Sequence, residues 1–174
     1  MIIEYATTEF GVKQPTRSNP SDAGLDIYAN LKEQVTLEPG QNKMIPTGLK
    51  FGIPHGYMLQ VCNRSSMGAK RSLVVGAHVI DSGYEGEVFI DLHNIGSEQQ
   101  TISTGDKIAQ LVLVPVVHFR PQKTNPLSLY HGQGLTISER GAGALGSTDN
   151  HKDGKFDTSL KVQNPLNDVI GGGF

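Results

Sequence analysis

Short apolar runs, each cut off by glycine or proline, set the pattern of the chain. Val35-Thr36-Leu37 stops at the turn pair Pro39-Gly40. Met44-Ile45 and Leu49-Lys50-Phe51 follow, then Pro54-His55-Gly56, then a run from Tyr57 to Cys62. Leu73 to Ile80 is rich in β-branched residues, and Val88 to Asn94 is strand-like in composition. Ile108 to Val117 is almost continuously apolar, as in a strand covered on both faces. No window of about 12 residues carries a sustained helical stripe, and only Ser66 to Arg71 has room for one short helical turn. Many short strands joined by Gly/Pro turns predict an all-β sandwich or barrel.

Length and charge narrow the classes. A chain of 174 residues suits one domain with a sizeable core. With 15 basic against 17 acidic residues the net charge is −2, which leaves no electrostatic footprint for nucleic acid. Aromatics make up 6% and tryptophan is absent, against a stacking platform for single strands. The single cysteine, Cys62, excludes an internal disulfide and fits a reducing cytosol as a buried, inert thiol. The first residues lack the basic-then-apolar pattern of a signal peptide, and no apolar run approaches the ~20 residues that cross a bilayer. A soluble cytoplasmic protein without nucleic-acid or membrane partners is the expectation. Two segments stand apart. Residues 118–139 hold Pro121, Pro126 and Gly132-Gln133-Gly134 and read as a long excursion or arm. Residues 150–174 are polar and end in a triple glycine that is costly to order, so a mobile extension is expected.

Five polar, glycine-marked segments carry the chemistry. The most informative is Val79-Ile80-Asp81-Ser82-Gly83-Tyr84-Glu85-Gly86, an acid and an aromatic on a turn between strand-like runs. With no Cys/His cluster beside it, Asp81 either caps the turn or accepts a proton from an oriented water. Tyr84 is either strand packing or a flat wall against a ring. Arg64, Ser65 and Ser66 follow a strand directly, where a guanidinium and hydroxyls can grip phosphate; an ordinary turn is the alternative. Gln110 interrupts the longest apolar run and needs a hydrogen-bond partner, either backbone or ligand. Asp22 and Asp26 either cap backbone amides or serve magnesium. The last segment, Arg140-Gly141 to Gly146-Ser147-Thr148, exposes amides that can cradle phosphate, but it lacks the Lys-Ser/Thr pair of a P-loop.

Taken in order, these segments resemble the five motifs of the trimeric dUTP diphosphatases (dUTPases), from Ser21 to Asp149. Ala23-Gly24-Leu25-Asp26 looks like the first, Arg64-Ser65-Ser66-Met67-Gly68 the second and Val79 to Gly86 the third. Gly105-Asp106-Lys107-Ile108-Ala109-Gln110-Leu111 is similar to the fourth, and Arg140-Gly141 to Gly146-Ser147 to the fifth. Each alone is weak; five in the right order outweigh the bland reading of each.

The resemblance implies a jelly-roll-like distorted β-barrel over residues 1–149, a homotrimer with shared active sites, and a flexible C-terminal arm. It implies hydrolysis of dUTP to dUMP and pyrophosphate, with Mg2+ on the triphosphate and Asp26 reaching the ion through water. Asp81 would activate the attacking water. Arg64, Ser65, Ser66 and Gln110 would hold the phosphates, and Arg140, Gly146, Ser147 and Thr148 would close over their far end. Backbone around Gly76, His78 and Val79 would read uracil, with no room for a 5-methyl group, while Tyr84 packs beneath the deoxyribose. Two positions depart from the pattern: Leu145 stands where an aromatic usually stacks on the base, and His78 where glycine is common. The chain is also similar to the dCTP deaminases of the same fold. Those carry a Glu and an Arg where this chain has Asp91 and Ala69, which counts against deamination. A nucleotide binder without turnover would not need the water-orienting acid.

Overall fold

The computed structural model describes residues 1–132. Eleven strands run in chain order among them: β1 (Glu4–Thr7), β2 (Leu25–Tyr28), β3 (Val35–Leu37), β4 (Asn42–Pro46), β5 (Leu49–Gly52), β6 (Tyr57–Cys62), β7 (Leu73–Val75), β8 (Val79–Asp81), β9 (Phe89–Asn94), β10 (Gln100–Ile102) and β11 (Lys107–Pro115). One short helix, α1 (Ser65–Arg71), lies between β6 and β7, and a 3-10 segment spans Pro126–Gly132. Chain contacts separate Met1–Arg120 from a second unit that begins at Pro121. The fold is all-β and jelly-roll-like, with open sheets in place of one continuous ring: β2-β11-β6-β8, β4-β9-β7, β1-β5 and β10-β3.

Period-two alternation places the core. In β9 the pattern puts Ile90, Leu92 and Asn94 inward and Phe89, Asp91 and His93 outward. In β6, Leu59 and Val61 point in while Met58, Gln60 and Cys62 lie on the other face. Ile27, Leu37, Ile45, Leu49, Leu73, Ile102 and Ile108 complete a single cluster of almost fully buried side chains. Burying such a side chain contributes roughly 1.5–3 kcal/mol each.

Differences from the sequence reading have local causes. The run Leu73–Ile80 is two strands in two sheets: β7 pairs with β9, β8 pairs with β6, and the chain crosses over at Gly76 to His78. The apolar run from Ile108 ends as a strand at Pro115, and Val117 is exposed. Its outer face is only half-buried at Val112 and Val114, so one chain alone does not cover it on both sides. Both β1, whose four residues are all exposed, and the three-residue β10 lack the apolar content that would flag them. Cys62 is half-buried, less enclosed than expected.

Two polar side chains, Thr47 and Asn94, lie inside the core, each 1% exposed. Asn94 donates its amide to the carbonyls of Leu37 (2.9 Å) and Glu98 (2.8 Å) and accepts from the Gly96 amide (3.0 Å), pinning the end of β9 to the end of β3 and to the turn that follows β9. Asn94→Ala should therefore lower stability by about 1–3 kcal/mol through unpaired buried groups, read as a lower urea midpoint at unchanged slope.

Candidate active site

Register brings the first, second and fourth segments together. Gln110 on β11 pairs with Asp26 on β2 on one side and Cys62 on β6 on the other. Arg64 and Ser65 follow as β6 turns into α1. The result is a polar cavity of about 280 Å³ lined by Ser18, Asp22, Gly24, Asp26, Arg64, Ser65 and Gln110. Gln110 settles its amide on the Asn63 carbonyl at 2.9 Å, the backbone partner that a half-buried amide needs. Its oxygen lies so near Gly24 that a Cβ there would stand 2.6 Å away, which is why the first segment carries glycine.

Asp26 organises the cavity. Its Oδ1 accepts from Arg64 Nε at 2.8 Å and its Oδ2 from Lys107 Nζ at 2.6 Å. Asp26 is 9% exposed. Burial alone pushes its carboxyl up, yet the hydrogen bonds and charges of Lys107 and Arg64 together outweigh this and hold it below the ordinary carboxylate range. The same contact raises Lys107. Two cations on one carboxylate leave this trio at a formal charge of +1, which Asp22 in the same lining offsets. The remaining Arg64 contacts, from Nη1 to Ser66 Oγ (3.4 Å) and the Lys107 carbonyl (3.5 Å), are long. Lys107 is the member of this cluster that sequence reasoning missed; its only signal was a position next to Asp106 in the fourth segment.

The third segment builds a separate, mainly apolar cavity of about 240 Å³, lined by Met44, Ala77, Val79, Ile80, Asp81, Tyr84 and Phe89 among others. Asp81 ends β8, exposed and opposite Met58. Tyr84 donates its hydroxyl to the Glu87 carbonyl at 2.8 Å, which fixes the ring as a wall. His78 does not enter a core: its Nδ1 meets the Val61 carbonyl at 2.9 Å, and the Val61 amide donates to the His78 carbonyl at 2.9 Å. Asn63 Oδ1 accepts from the Val75 amide at 2.7 Å, so the residue beside Arg64 also holds the root of the Gly76–Val79 crossover.

The two cavities share no lining residue. Met58 and Cys62 lie on the same face of β6, so Asp81 and Gln110, their partners on either side, do too. Four residues of strand and two strand spacings put their Cα atoms roughly 16 Å apart. Along β6 the order is acid at Met58, crossover at Val61, phosphate-type cavity beyond Cys62. Arg140, Leu145, Gly146, Ser147 and Thr148 lie outside the described residues. Among the described residues no group of three or more His, Cys, Asp and Glu could hold a metal ion, and no helix is long and apolar enough to cross a membrane.

Comparison with known proteins identifies relatives of this chain. A family model described as dUTPase matches residues 11–148. A deoxyuridine 5'-triphosphate nucleotidohydrolase of Pseudomonas putida is 42% identical over 142 residues, covering 79% of this chain and 87% of the relative. Its counterpart from Anaplasma marginale is 35% identical over 141 residues, covering 80% and 90%. Among solved structures, a Staphylococcus bacteriophage 80alpha dUTPase variant with dUpNHpp superposes with a TM-score of 0.71 at 26% identity, covering 84% of this chain and 98% of that one. A dUTPase variant from phage phi11 of S. aureus, described with a structural Mg(II) ion, gives 0.66 at 27%, covering 71% and 97%.

The clamp on Asp26 makes an acid-linked contribution to stability. Because its carboxyl is depressed in the folded state, the contribution is complete above the unfolded carboxylate value, about pH 4, and is lost as pH falls through the lower folded value. Asp26→Asn should cost about 1–3 kcal/mol at pH 7 and flatten stability between pH 4 and acid, as followed by urea unfolding at a series of pH values.

Proposed function

The chain belongs to the dUTPase family, and we propose that it hydrolyses dUTP to dUMP and pyrophosphate by an in-line attack of water on the α-phosphorus. Asp81 accepts a proton from the water as its oxygen bonds to phosphorus. The bond from the α-phosphorus to the bridging oxygen breaks, and pyrophosphate leaves with those electrons. Arg64, Ser65, Ser66 and Gln110 hold the phosphate chain in line, with the Asp26–Lys107 contact keeping the guanidinium in place. Gly76, His78 and Val79 present backbone to uracil. Tyr84 stacks beneath the deoxyribose, where a ribose 2′-hydroxyl would clash. Arg140, Leu145, Gly146, Ser147 and Thr148 supply the closing arm. Exclusion of water by that arm is the last step before attack.

The residues present fit magnesium in one way only. Both Asp26 oxygens already face cations, so this carboxylate suits an ion reached through water and carried in on the triphosphate. Bound there, Mg2+ would neutralise charge on the phosphate oxygens.

The observation that carries the reading furthest is the order along β6. A nucleotide runs base, sugar, α-phosphate, outer phosphates, and its water must arrive at the α-phosphate. In one chain the base-reading crossover lies between the acid and the phosphate cavity, the wrong order. A second copy that sets its Arg64/Gln110 cavity against the Asp81 end restores the right one. The homotrimer with shared sites, which the family resemblance implies, is taken as the assembly that supplies this second copy.

Two experiments test the reading. Asp81→Asn should bind dUTP with unchanged affinity while pyrophosphate release falls by about 10³-fold or more; wild-type enzyme should leave dCTP and UTP intact. Normal turnover by that variant would remove the proposed acid. For the shared site, Asp81→Asn and Gln110→Ala chains, each inactive alone, should regain about a quarter of wild-type activity when unfolded and refolded together, because one site in four then draws both intact residues from different copies. No regain would place both residues in one chain's site.

A further inference from the structure

The base-reading crossover is held at its root by a polar pair that the reaction itself does not use. Asp91 and His93 project from the outer face of β9, opposite Met44 and Asn42 of β4. The His93 Nε2 and Asp91 Oδ2 atoms lie 2.9 Å apart, and Asp91 Oδ1 accepts from Asn42 Nδ2 at 3.1 Å. A carboxylate only accepts, so His93 donates through Nε2–H, and this bond, with that from Asn42, holds the Asp91 carboxyl below its ordinary range against a smaller effect of burial.

The bond between the two side chains passes directly over Gly76. A Cβ added at Gly76 would collide with both bonded atoms, His93 Nε2 and Asp91 Oδ2. The Gly76 amide also donates to the Asp91 carbonyl at 2.9 Å, the last rung before the chain leaves β7. The Asn42–Asp91–His93 chain is thus packed against the point where the crossover begins. Its surroundings tie it to the cavity of the third segment. Met44 is the cross-strand partner of Asp91, Phe89 stands two residues before it, and Ala77 follows Gly76; all three line that cavity.

We propose that Asp91 and His93, anchored by Asn42, are positioning residues for base selection: their hydrogen bond sets the distance between the Gly76–Val79 backbone and the Met44/Phe89 wall, and so the width open to a pyrimidine. This rests on the functional reading above. The pair touches neither the water nor the phosphates, so it governs which base is held and how tightly. Chemistry after binding is left to Asp81. A crossover released from the pair moves away from the wall, and the space that opens admits a substituent at the pyrimidine 5-position.

Steady-state kinetics of the full-length chain with dUTP and dTTP test this. His93→Ala should raise KM for dUTP about tenfold, keep kcat within about twofold, and reduce the preference for dUTP over dTTP about tenfold. His93→Gln, whose amide can still donate to Asp91, should return KM and preference to within about threefold of wild type. Asn42→Ala, an exposed position, should shift both in the same direction by a smaller factor, and it serves if His93→Ala does not fold. Unchanged KM and preference in His93→Ala, or an equal fall in kcat for both nucleotides, would overturn the inference while leaving the hydrolase reading intact. A wild-type chain inert toward dUTP would instead sink the functional reading, and the positioning role with it.

Discussion

The seating of β6 between β8 and β11 is the constraint on which the rest of this molecule depends. Side chains alternate with period two, so a slip of one residue would send Met58, Gln60 and Cys62 into the core and Leu59 and Val61 out. A one-residue slip of β8 against β6 would likewise turn Asp81 away from the face it shares with Gln110. What prevents it is burial: Leu59 and Val61 are each 3% exposed and belong to the single core cluster. Hydrophobic packing therefore fixes the facing of the acid and of the amide, although neither takes part in that packing.

Within the phosphate-type cavity the balance is electrostatic. A half-buried guanidinium beside a hydroxyl and an amide would lack fixed direction if it faced only solvent. Asp26 supplies that direction by accepting from Nε at 2.8 Å, but a lone carboxylate there would cancel the charge needed for an anion. Lys107, at 2.6 Å from the other oxygen, restores it. Three charges held in this way orient Arg64 and, with Asp22 in the same lining, leave the cavity near neutral. Two opposite charges alone would achieve only the first.

Much of this was legible in the sequence, and the reasons for the gaps are physical. Runs such as Tyr57–Cys62 and Ile108–Val114 show themselves because apolar content and strand register coincide. β1 and β10 are paired at edges with little apolar burial, so composition carried no trace of them. The division of Leu73–Ile80 depends on Gly76, whose need for a bare Cα arises from His93 and Asp91 in another strand. The motifs identified Asp26, Arg64 and Gln110 one by one, but the link from Lys107 to Asp26 spans 81 positions, a distance no local pattern reports. Motif order could be read along the chain; the order of the groups along β6 had to come from pairing.

That order also explains why the apolar walls of the third segment are left exposed in a single chain. Val79 (58% exposed), Met44 (53%) and Phe89 (42%) form a surface that costs free energy in water. The acid is set into the same cavity. On the proposed reading a nucleotide seated against these walls removes water from around Asp81 as its phosphates reach the Arg64/Gln110 cavity of a second copy. With fewer competing waters, the one that remains is held by the carboxylate in a medium where charges act more strongly. Burial that holds the nucleotide and desolvation that sharpens the acid are then the same event on one surface. A substitution that made this surface polar would weaken both together, because the walls and the acid line one cavity.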